Sequence, residues 1–118
     1  MSIITIILGT LVALEFFYIF YLETLATTSA ATSRVFNMEK EELERPSVNT
    51  LFKNQGVYNG LIAVLIIVAL FILPSIQWLI LLMVYVILVA IYGGLTSDKA
   101  IILKQGGLAI LTLISMLF

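Results

Sequence analysis

The stretch IITIILGTLVALEFFYIFYLETLA, residues 3–26, decides the class of this protein. Its only charged members are Glu15 and Glu23. A bilayer's hydrocarbon core is roughly 30 Å thick and takes about 20 helical residues to cross, so the segment is long enough to span. An ionisable group at the centre of such a helix costs about 2.5–3.5 kcal/mol on insertion scales. Glu15 therefore either binds something or ties helices together. The segment reads as a retained helix and not as a signal peptide. It has no basic leader, its apolar run is too long, and the small residues 26–33 fall late.

Working outward, three more apolar segments follow, at about 48–73 (apolar from 57), 76–95 and 101–118. They predict an all-α membrane protein, a four-transmembrane-helix bundle forming one membrane domain over residues 1–118. Composition agrees: 62% of the 118 residues are hydrophobic and 11% charged, too few charges to solubilise a globular surface. Mean hydropathy is +1.17. A net charge of −1 gives no electrostatic case for nucleic acid. With no Cys, disulfides, thiol nucleophiles and thiolate metal sites are excluded. With no His, the commonest general base and metal ligand is missing too. Neither a metal site nor a cofactor is expected.

Only Pro74 and Ser75 separate the second and third segments, which forces an antiparallel hairpin with Gln77 and Trp78 at the membrane surface. The first connection is long. Residues 27–33 are small and polar, and 38–44 are acidic and helix-prone, with Asn37 as the expected N-cap and Arg45–Pro46 as the stop. This connection, 27–47, reads as a solvated surface loop with one helical turn.

Orientation follows from charge. Arg34, Lys40, Arg45 and Lys53 lie in or just after the first connection, and Lys99 and Lys104 in or just after the third. These are all 6 basic residues. The positive-inside rule puts both connections in the cytoplasm and both termini outside.

The polar residues then gather at the cytoplasmic end. Asn54, Gln55, Tyr58 and Asn59 open the second segment, Tyr92 closes the third, Gln105 opens the fourth, and Glu23 lies near the end of the first. Helical spacing puts Gln55 and Asn59 on one stripe and Asn54 and Tyr58 on the adjacent one. Gly56 and Gly60 form a small-xxx-small pair that admits a neighbouring backbone. The expected ligand-binding set is Glu15 at the midplane with Glu23, Asn54, Gln55, Tyr58, Asn59, Tyr92 and Gln105 in the cytoplasmic third. The competing reading makes the amides polar glue between helices. It makes Tyr92, with Trp78 and Tyr85 at seven-residue spacing, a packing and anchoring ridge.

The segments LEFFYIFYLET (residues 14–24), NQGVYNG (54–60) and IYGGLTSDKAIILKQG (91–106) resemble the family called domain of unknown function 1304. The resemblance covers nearly the whole chain, in order. It implies a small four-helix integral membrane protein of the bacterial inner membrane. Some members carry enzyme-like names such as epimerase. Two positions depart from the family pattern: Phe16 stands where a His follows the first-helix Glu, and Leu108 stands where a Pro follows the Gln-Gly of the fourth helix. Any chemistry resting on that His is not carried over.

Three functions fit these groups. The first is binding or transport of a small ligand through a cytoplasm-facing polar site leading to a midplane carboxylate. The second is a membrane-embedded isomerase acting on a lipid or isoprenoid-like substrate by carboxylate acid/base chemistry. The third is an accessory subunit docking a membrane partner. The expected partners are membrane lipids, a small-molecule or lipid ligand, and further copies of the chain.

The orientation is testable because the chain has no Cys. In intact cells, an impermeant maleimide is expected to label Ser2→Cys and to spare Glu42→Cys. The reverse pattern would invert the topology.

Overall fold

Through the first segment, Thr5, Gly9, Val12, Phe16, Ile19 and Glu23 recur at three- and four-residue spacing, the repeat of one helix face. All six are buried. The computed structural model describes residues 1–97 and 99–118. Helix α1 runs over Ile3–Phe20 and continues as a π-helical turn, Tyr21–Leu25. Two short helices follow, α2 (Ala30–Phe36) and α3 (Lys40–Glu44). Helix α4 (Pro46–Ile67) ends in a second π turn, Val68–Ile72, and α5 (Ile76–Thr96) and α6 (Ala100–Ser115) complete the chain. Among the described residues there is no strand.

Among the described residues three helices are long and apolar enough to cross a membrane: Ile3–Leu25, Pro46–Ile72 and Ile76–Thr96. A shorter apolar helix covers Ile102–Ser115. The 16 residues of α6 rise about 24 Å, less than a bilayer core. Two hydroxyls bond back to its own carbonyls: Thr112 Oγ1 donates to that of Leu108 at 2.7 Å and Ser115 Oγ to that of Thr112 at 2.6 Å.

The first connection is more ordered than a loop with one turn. Ser29 Oγ caps α2 by accepting from the Thr32 N–H. Asn37 does not cap α3 from its N-terminus. It ends α2 instead, at φ 52° in the left-handed region, where Asn is better tolerated than most residues. Its N–H bonds the Ser33 and Arg34 carbonyls, and the N-cap of α3 is Glu39. Arg45 is extended, as a residue before proline must be, and Pro46 opens α4.

The chain forms two compact units, Met1–Glu15 with Ala63–Phe118, and Phe16–Ile62. In the first, α5 packs on α6 through Leu79, Met83, Val86, Ala90 and Gly94, again at three- and four-residue steps. Ala90 Cβ approaches the backbone of Gly106, and the Ile102 side chain lies over Gly94. Thr5 Oγ1 and Ser115 Oγ share a hydrogen bond of 2.7 Å. At the hairpin tip Ser75 Oγ caps α5 by accepting from the Trp78 N–H, and Trp78 itself is exposed. In the second unit the core holds Phe16, Ile19, Leu22 and Leu43, and Phe36 meets Phe52 edge to face.

Two glycines of the first unit should respond in opposite directions. A Cβ at Gly94 would run into Ile102 Cγ1, whereas one at Gly107 meets nothing within 4 Å. Gly94→Ala is expected to cost about 1–3 kcal/mol through overpacking. Gly107→Ala should gain about 0.5–1 kcal/mol from the stiffer helix. Thermal unfolding of the two variants in micelles checks both signs.

Candidate functional site

The last four carbonyls of any helix lack partners within it, and lipid supplies none. In the second unit the first span solves this with threonine. Its π turn closes with the Ala26 N–H on the Tyr21 carbonyl at 2.9 Å. Thr27 Oγ1 donates to the Glu23 carbonyl at 2.7 Å. Thr32 Oγ1, reaching back from α2, donates to the Ala26 carbonyl at 2.6 Å and the Leu22 carbonyl at 3.1 Å. Thr32 has no exposed surface, so α2 is stitched onto the end of the span.

Glu23 sits at the middle of that turn with 0% exposure. Asn59 Nδ2 of α4 donates to its Oε1 at 2.6 Å. Its other oxygen, Oε2, is buried and has no hydrogen-bond partner among the described residues. The approach of α4 depends on glycine. A Cβ at Gly56 would collide with Thr24 Oγ1 and lie 3.0 Å from both Glu23 Cβ and the Thr24 backbone N. A Cβ at Gly60 would lie 2.9 Å from Phe20 Cδ1. The closeness lets Thr24 Oγ1 donate to the Lys53 carbonyl at 2.9 Å.

The other expected residues are dispersed. Asn54, Gln55 and Tyr58 are exposed, Tyr58 to 69%. Asn54 and Tyr58 stand two residues from Gly56, and Tyr58 two from Gly60 as well, so a helix turns both to the side away from the glycines. In the other unit Tyr92 is 70% exposed and Gln105 half-buried. Glu15, also there, is half-buried, with Oε1 buried and unpartnered among the described residues. What the structure brings together is Glu23 and Asn59. The hydroxyls of Thr24, Thr27 and Thr32 were not singled out from sequence. Their one signal is the density of Ser and Thr over residues 24–33, directly after an apolar span.

The family described as "Protein of unknown function (DUF1304)" matches residues 10–117, which include every residue of this site. The chain belongs to that family. The "Uncharacterized protein YpaA" of Lactococcus lactis subsp. lactis (strain IL1403) is 66% identical over 119 residues, with all of both chains covered. No solved structure matches.

The Glu23–Asn59 contact can be weighed by a double-mutant cycle. Glu23→Leu and Asn59→Leu should each destabilise, the second more because it leaves a buried carboxylate with no partner. The double variant should recover about 1–2 kcal/mol relative to additivity. Additive losses in detergent unfolding would mean the bond holds nothing.

Proposed function

We propose that this protein is a four-span protein of the bacterial inner membrane, with both termini outside, that binds a small ligand at Glu23 from the cytoplasmic side. The observation that carries this reading is the unclaimed Oε2 of a fully buried carboxylate whose other oxygen is already held by Asn59. A buried polar atom left unsatisfied costs about 1–3 kcal/mol, and more when charged. An ionisable residue inside a membrane segment marks a functional site by default. Support for the cytoplasmic side comes from Lys and Arg, which all flank the end of the spans where Glu23 lies.

A second reading, docking of a membrane partner, is favoured by the exposed Asn54 and Tyr58 on a helix that is long and apolar enough to cross a membrane. Amides there gain from a hydrogen-bonding neighbour on another chain.

Accessibility separates the two. Thr27, one turn beyond Glu23, is 5% exposed. A small charged thiosulfonate should modify Thr27→Cys in inside-out vesicles and leave it untouched in intact cells. Protection from both sides would make Glu23 a sealed tie between helices and put partner docking in front.

A further inference from the structure

The hydrogen-bond valences around Glu23 name the kind of ligand, given that Glu23 is a ligand site as proposed above. A threonine hydroxyl has one hydrogen to donate and two lone pairs to offer. Here three such hydrogens are committed to backbone carbonyls: that of Thr24 to Lys53, that of Thr27 to Glu23, and that of Thr32 to Ala26 and Leu22. One amide hydrogen of Asn59 is committed to Oε1. What these groups still present is mainly acceptors: Oε2 of Glu23 and lone pairs of the Thr24 and Thr27 hydroxyls, with the second amide hydrogen of Asn59 the one donor left among them. Those three hydroxyls therefore offer an anion or a pure acceptor no hydrogen.

Charge narrows the class further. Glu23 is the one acidic residue buried in this unit, since Glu39, Glu41, Glu42 and Glu44 are exposed. The ion pairs of the unit are both on and beside α3, Lys40 with Glu44 and Arg45 with Glu42, and neither engages Glu23. One carboxylate brings one negative charge. A divalent ion taken out of water asks for more carboxylates and a fuller oxygen shell. We infer that the Glu23 site takes a monovalent cation, an alkali ion or a primary ammonium group, held by Glu23 Oε2 with the hydroxyl oxygens of Thr24 and Thr27.

The test uses the full chain in a nonionic detergent, its thermal midpoint followed against NaCl, KCl or methylammonium chloride. Choline chloride keeps ionic strength constant and serves as a cation too large for a buried oxygen site. One of the small cations should raise the midpoint by about 5 °C at ten times its dissociation constant. Which of them does so distinguishes the alkali ion from the ammonium. Glu23→Gln should abolish the rise. Glu23→Asp, which retains the charge but withdraws it by one methylene, should require about tenfold more cation. A wild-type midpoint that does not separate small cations from choline overturns the inference, as does an undiminished rise in Glu23→Gln. Should Glu23→Gln not fold, an unchanged cation requirement in Glu23→Asp overturns it equally. Absence of a cation effect while Thr27→Cys is modified from the cytoplasmic side rejects the cation and leaves the binding site standing. A Thr27→Cys sealed from both sides removes both.

Discussion

The second unit rests on how closely α4 approaches the end of the first span, and that closeness is set by one missing atom. With any Cβ at position 56, the Thr24 hydroxyl and the Glu23 side chain would have to withdraw. The Lys53 carbonyl would lose the Thr24 hydroxyl and Asn59 would lose its reach to Oε1. Van der Waals packing and interhelical hydrogen bonds drive association where lipid removes the hydrophobic term. Both are present along this one seam. Gly60 against Phe20 provides the packing, and Asn59 with Glu23 the hydrogen bond.

A second constraint is that lipid does not hydrate backbone. The π turn ends the span without a glycine or a left-handed residue, and the carbonyls it frees are taken by Thr27 and Thr32. Because Thr32 belongs to α2, ending the span and docking the connection are one event. The polar run after the first span is thus structural, and the backbone that carries Glu23 is held in place by those hydroxyls.

Helix periodicity made part of this legible in the sequence. The glycine pair 56/60 follows from spacing alone, whereas the buried seam Gly9–Val12–Phe16–Ile19–Glu23 does not, because apolar side chains surround the first helix on every side. Glu15 drew attention by its depth in the span, yet it lies three residues from Val12 and eight from Glu23, at the margin of the seam, and is half-buried. Depth sets what a charge costs, whereas facing sets what it touches. The placement of Asn54 and Tyr58 on an exposed surface was implicit in their two-residue offset from the glycines. The threonine caps were not legible, because their acceptors become neighbours only when α2 folds back on the span. Nor was the role of Asn37, since a residue suited to both ends of a helix is assigned only by the helix that forms.

The hairpin joining α4 and α5 has a bearing on how the protein is made. From Asn54 to Ser97 the chain carries no Asp, Glu, Lys or Arg. The polar side-chain atoms at its tip belong to Ser75, Gln77 and Trp78, with Ser75 Oγ already serving the α5 cap. Translocating that tip therefore moves no formal charge through the membrane field, and the electrical work of insertion is zero whichever way the hairpin faces. The two long helices can enter together as a loop, already hydrogen-bonded, with the charges at Lys53 and Lys99 left behind as the anchors that stop it.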